Sequence, residues 1–192
     1  QWISIFVITT FFLGLKIGNF LGVGKKQAFL LASGTAICGG TAMLAVAPII
    51  KSKPEELSMA ISIVFLLNAI AVVTFPLMAQ ILELSEIQAG TWFSLAIHDT
   101  ASVIGAASIS GEESLKVATT LKLGRTLWLI PLVIFSGWYF KEPKPVSSFP
   151  FFIIFFLIAI ICNSFLAPYH SVILLLSNIN KLFLIIGLFC IG

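Results

Sequence analysis

Apolar runs of about twenty residues, each bounded by charge, glycine or proline, recur along the chain and divide it into seven segments. They are Trp2 to Val23, Gln27 to Ile50, Leu57 to Leu82, Ile87 to Ile109, Leu115 to Phe140, Phe149 to Ala167 and Ser171 to Gly192. The breaks are tight: Gly24-Lys25-Lys26, Lys51 to Glu56, Glu83 to Glu86, Gly111-Glu112-Glu113, Lys141 to Pro145, and Pro168 to His170. At ~1.5 Å per residue, a helix of this length crosses the ~30 Å hydrocarbon layer of a bilayer. The runs lack the ten-residue alternation of barrel strands, so the pattern predicts an all-α, polytopic transmembrane helical bundle, one domain over 1–192.

Composition sharpens this picture. The chain is 59% hydrophobic and only 10% charged, with a mean hydropathy of +1.10, which excludes a soluble globular domain, where charge runs near ~25%. A net charge of +3, scattered and without a basic tract, gives no footprint for nucleic acid. Cys38, Cys162 and Cys190 lie in apolar stretches with neither paired nor metal-ligand spacing, so no metal or cofactor is expected. Gln1 to Leu15 lacks the basic start and small-residue cleavage site of a signal peptide. The sequence opens on Gln1 and stops at Gly192, inside an apolar run that begins at Leu182, so the expectation is a piece of a longer protein, cut at both ends. If every segment crosses once, Lys25, Lys26, Lys141 and Lys144 share one face and Lys51, Lys53 and Lys116 the other, which assigns the Lys25 face to the cytoplasm.

Two regions depart from an unbroken apolar helix. In the second segment, Ser33-Gly34-Thr35-Ala36-Ile37-Cys38-Gly39-Gly40-Thr41 gathers three glycines and three hydroxyls. Adjacent glycines each cost a helix about 1 kcal/mol relative to Ala and free backbone groups, so a break between Thr35 and Thr41 is predicted. Such a break is tolerated in a membrane where it lines a cavity, and the N-terminus of its second half suits an anion. The alternative is that the small residues only let another helix pack closely. In the fourth segment, His98-Asp99-Thr100-Ala101-Ser102 carries the only aspartate of the chain. A carboxylate at that depth needs a partner. Lys122 and Arg125, three residues apart on the fifth segment, offer one. Asp99 and Arg125 are equally far from the Gly111 turn, ~16 Å down each helix, which predicts that they meet. The pair could be structural, or His98, Asp99, Thr100, Ser102, Lys122 and Arg125 could form a polar pathway for an anion or protons. Lys16, Asn19, Asn68, Asn163 and Asn180 read as structural.

Ala36-Ile37 and Ala96-Ile97 align at an offset of sixty, but they join two segments that run the same way by count and so cannot form an inverted pair. Counting instead pairs the second segment with the seventh, around Ser177 to Gly187.

Gly34-Thr35-Ala36-Ile37-Cys38-Gly39-Gly40-Thr41-Ala42 followed by Ala47-Pro48 resembles the signature of a family of uncharacterised bacterial inner-membrane proteins named for sulfate export. His98 to Val103, Lys122-Leu123-Gly124-Arg125 through Pro131, and Cys162-Asn163-Ser164-Phe165 resemble further segments of that family in the same order. The resemblance covers most of the chain. It implies a multi-pass protein of the bacterial inner membrane with about eleven spans, of which seven are seen. It also implies the inverted-repeat fold of cation-proton antiporters and bile-acid symporters, with broken helices crossing at mid-membrane.

The reading is a secondary transporter, an exporter of a small anion such as sulfate or an organosulfur acid, coupled to a proton or sodium gradient. Its substrate-binding candidates are Gly34, Thr35, Cys38, Gly39, Gly40, Thr41, Lys122 and Arg125; its coupling candidates are His98, Asp99, Thr100 and Ser102. No ATP-binding motif is present, and neither an aspartyl dyad nor His-Glu-x-x-His supports an enzyme. The alternatives are a cation-coupled symporter or antiporter of another substrate, and a non-transporting structural subunit, with a homodimer left open.

Overall fold

In the computed structural model, which describes residues 2–140 and residue 158, the described elements are all helices: α1 (Trp2–Phe20), α2 (Lys25–Ala36), α3 (Gly40–Val46), α4 (Pro54–Ile81), α5 (Glu86–Ala96), α6 (Thr100–Ile109), α7 (Glu112–Thr126) and α8 (Leu129–Phe140). The chain divides into two compact units, Gln1–Ser148 and Phe149–Gly192, and these eight helices belong to the first. The expected segments Phe149 to Ala167 and Ser171 to Gly192, with Cys162, Asn163, Asn180 and Cys190, lie outside the described residues.

Among the described residues three helices are long and apolar enough to cross a membrane: α1 with 19 residues, α4 with 28, and α7 with α8, which together make the 29 residues Glu112–Phe140. Helix α4 starts where Pro54 is tolerated, at the first turn, with Glu56 accepting a hydrogen bond from the Lys53 N–H at 2.9 Å. It buries Ala60, Val64, Asn68, Ala71 and Ala79, spaced by three to eight residues along one stripe. The opposite face, with Leu66, Ile70, Val73 and Leu77, is more than half exposed and suits hydrocarbon.

The second and fourth segments do not cross, which corrects the expectation of five spans up to Phe140. Lys26 Nζ donates to the Lys51 carbonyl at 2.7 Å, so the two ends of the second segment lie side by side. A helix crossing once from Gln27 to Ile50 would separate them by about 36 Å. Instead α2 runs inward, the chain turns through Ile37-Cys38-Gly39, and α3 runs back, with Met43 against Gly34. The fourth segment repeats the move. Ile97-His98-Asp99 interrupts α5 and α6, and at the open end the Glu113 N–H donates to Glu86 Oε2 at 3.0 Å. A second contact tightens that end: Gly90 packs on the Ser114 backbone so closely that a Cβ there would collide with it.

The hairpins enter from opposite ends of the long helices. Gln27 Nε2 donates to Met59 Sδ at 2.9 Å, placing the open end of the first hairpin beside the start of α4, whereas the far end of α4 leads through four residues into α5. Helix α7 begins at the open end of the second hairpin, and α8 ends at the first, where Phe29 meets Phe140 with ring centroids 5.1 Å apart. Lys51 and Lys53 therefore share a face with Lys25 and Lys26, not the opposite one as single crossings would require. Helix α1 lies along α2, with Gly14 and Gly18 against Ala32 and Ala28, a small-xxx-small contact.

Candidate functional site: the meeting of two hairpin tips

The break predicted between Thr35 and Thr41 falls at residues 37–39. Gly39 takes φ +61° and ψ −125°, a conformation that side chains resist, and donates its N–H to the Gly34 carbonyl at 2.8 Å. The second break, at 97–99, is displaced by sixty residues: α2 ends at Ala36 and α5 at Ala96, α3 starts at Gly40 and α6 at Thr100. The two tips touch, since a Cβ built on Gly39 would lie 3.5 Å from His98.

Each tip presents the carbonyl end of one helix and the N–H end of another. Arg125, fully buried on α7, collects the carbonyl ends of both. Its Nη2 donates to Thr35 O and Ala36 O, both at 2.9 Å; its Nε donates to Ala36 O at 3.3 Å; its Nη1 donates to Ser94 O at 2.5 Å and Leu95 O at 3.0 Å. A guanidinium has five N–H groups, and all five are used. A cation at two helix C-termini is also favoured by their dipoles. One turn earlier, the fully buried Lys122 donates to Ile97 O at 2.9 Å, which engages one of its three N–H groups. The Phe6 ring covers the guanidinium at 5.2 Å.

Asp99 does not bond Arg125, which corrects the predicted pair. It is the N-cap of α6, and its Oδ2 accepts from Ser102 N at 2.9 Å and Ser102 Oγ at 3.1 Å. Equal depth did not decide the contact: α6 is continuous from Thr100 to Ile109, but Asp99, extended at its N-cap (φ −83°, ψ 142°), turns its carboxylate onto the first turn of α6 and not onto α7. His98, Thr100 and Ser102 are half-buried around this cap; Gly34, Cys38, Gly39 and Gly40 are buried; Thr41 is exposed and Thr35 half-buried. The structure thus gathers Thr35, Gly39, His98, Asp99, Lys122 and Arg125 at one place.

Asn68 belongs there too, and it makes the structural hydrogen bond between helices that its sequence position suggested. Its Oδ1 accepts from the His98 N–H at 3.0 Å. The signal for this second break was present as Asp99-Thr100-Ala101-Ser102, an N-cap pattern inside an apolar run. Nothing local tied Asn68 to this tip, which is thirty residues away. A separate cavity of about 230 Å³, lined by Val7, Phe11, Ile37, Trp128, Leu132 and Phe135, flanks the first tip and offers apolar and aromatic walls. Among the described residues no cluster of three or more His, Cys, Asp or Glu could hold a metal.

Three long apolar helices around two helical hairpins define a helical membrane protein. The chain belongs to the family described as Conserved hypothetical protein 698, which it matches over residues 2–192. It is 44% identical over 167 residues to a UPF0324 membrane protein of Bacteroides thetaiotaomicron, covering 86% of this chain and 51% of that one. It is 43% identical to one of Porphyromonas gingivalis, covering 97% and 59%, and 40% identical to one of Photobacterium profundum, covering 97% and 57%. The chain thus spans a little over half the length of these relatives, whose names give membrane residence and no substrate. No solved structure matches.

Proposed function

We propose that this protein is a secondary transporter of a small anion, sulfate or an organosulfur acid among them, driven by a proton or sodium gradient across the bacterial inner membrane. The observation that carries this is the contact between two interrupted helices, Gly39 against His98, in the interior of the bundle. Interrupted helices cost unpaired backbone groups in a membrane, and they persist where those groups bind a substrate or ion. The offset of sixty between the tips, with entry from opposite ends, supports an inverted repeat of long helix plus hairpin, α1 to α3 and α4 to α6. That pairs the second segment with the fourth. The objection that they run the same way disappears once neither crosses.

In this reading Arg125 ties the two carbonyl ends together, Lys122 supplies positive charge with unspent N–H groups, and Asp99, with only Oδ2 engaged, is placed to take the coupling ion. No bond of the substrate is made or broken. Among the described residues, Lys25, Lys26, Lys51 and Lys53 lie on one face and Lys116 on the other, which supports a cytoplasmic open end for the first hairpin.

The test is purified protein in proteoliposomes, given a panel of radiolabelled oxyanions and carboxylates under an imposed proton or sodium gradient. Gradient-dependent movement of one of them supports the reading. Correctly inserted protein that moves none under either gradient would falsify it.

A further inference from the structure

Arg125 spends every donor on the protein's own carbonyls, so the transport site described above needs another group to bind its substrate. We infer that Asn68 is that group: its side-chain N–H pair binds an oxygen of an oxyanion or carboxylate at the second hairpin tip. This rests on the transport reading only for the purpose of the site, not for its existence.

Asn68 is 2% exposed in the middle of an apolar helix. The bond from the His98 N–H requires the amide oxygen to face the tip, which fixes the orientation that an amide otherwise leaves open. Nδ2, on the other branch of the same amide, is buried and has no partner. A purely structural residue at this position would either satisfy both ends or be apolar, because a buried donor without an acceptor is a net loss. The surroundings favour an acceptor that carries negative charge. Helix α6, ten residues long, presents its N-terminus at the same tip, and the Asp99 cap accounts for the N–H groups of Ser102 and Val103 but not for those of Thr100 and Ala101. Across that peptide unit, on its carbonyl side, the basic Lys122 Nζ is held by Ile97 O. Arg125, a permanent cation, and the basic Lys122 are both fully buried beside the tips, with Asp99 the one acidic residue among these groups.

The test is cysteine modification of the full protein after replacing Cys38, Cys162 and Cys190. Asn68→Cys should react with an anionic sulfonatoethyl methanethiosulfonate roughly tenfold faster than with the cationic trimethylammonium analogue, as electrostatic focusing in a positively charged site demands. Thr100→Cys, which leaves Asn68 in place, is the second variant should the first misfold, with the same preference expected. Absence of reaction, or faster reaction with the cationic reagent, overturns the inference. The two readings fail separately. Anion preference in a protein that transports nothing removes transport and keeps the site; transport without anion preference at either position removes Asn68 and keeps transport.

Discussion

Lys122 and Asn68 grip opposite sides of one peptide unit: Lys122 Nζ donates to the Ile97 carbonyl, and Asn68 Oδ1 accepts from the His98 N–H. The two residues come from α7 and α4, which flank the second hairpin, so the extended tip between α5 and α6 is held from both neighbours. An interrupted helix inside an apolar bundle can keep a defined shape only when its freed backbone groups are satisfied in this way.

Arg125 does the same for both hairpins at once, which sets an order of stability. Arg125→Gln strands several buried carbonyls, each costing about 1 to 3 kcal/mol, while Arg125→Lys keeps the charge with fewer donors. Thermal unfolding in detergent should therefore rank wild type above Arg125→Lys and that above Arg125→Gln. A glutamine variant that melts with the wild type would show that Arg125 does not hold the tips.

Asp99 and Arg125 hold the same tip but do not bond each other, so their coupling should stay well below that of a buried ion pair. For the double substitution Asp99→Asn with Arg125→Gln, unfolding curves should give a coupling of about 1 kcal/mol or less. A coupling of several kcal/mol would restore the ion pair that the extended tip displaced.

Asp99 has two separable duties. As N-cap it should cost about 0.5 to 2 kcal/mol when replaced by Ala and far less when replaced by Asn, which caps as well. Faster hydrogen exchange at the Ser102 N–H is the local readout. If the carboxylate also takes the coupling ion, Asp99→Asn should fold normally and lose gradient-driven uptake. Uptake at the wild-type rate would confine Asp99 to the cap.

The fold-back of the second segment fixes sidedness. Single cysteines replacing Lys25 and Lys53, both exposed, should be labelled by an impermeant maleimide from the same side of the membrane, and one replacing Glu112 from the opposite side. Labelling of the first two from opposite sides would mean that the segment crosses.

Close approach of α5 and α7 at Gly90 predicts a contrast between two helical glycines. A methyl group at Gly90 meets the Ser114 backbone, so Gly90→Ala should destabilise by about 1 to 3 kcal/mol. A methyl group at Gly105 meets nothing within 4 Å, so Gly105→Ala should stabilise α6 by about 0.5 to 1 kcal/mol. Equal melting temperatures for the two variants would contradict this packing.

By itself the sequence determined the helical class, the membrane environment, the limits of the apolar segments and the first interruption at Gly39, because each is written in a window of about twenty residues: hydropathy, glycine content and the charges that end a run. It also held the Ala36-Ile37 and Ala96-Ile97 doublets that mark where both tips begin. Tertiary structure alone decided that the second and fourth segments return to the side they came from, since an apolar run of that length satisfies hydrocarbon equally whether it crosses or folds back. The partners of Arg125 were likewise beyond local reading: its carbonyl acceptors are 30 to 90 residues distant in sequence, and backbone oxygens, unlike a carboxylate, leave no mark in the amino-acid alphabet.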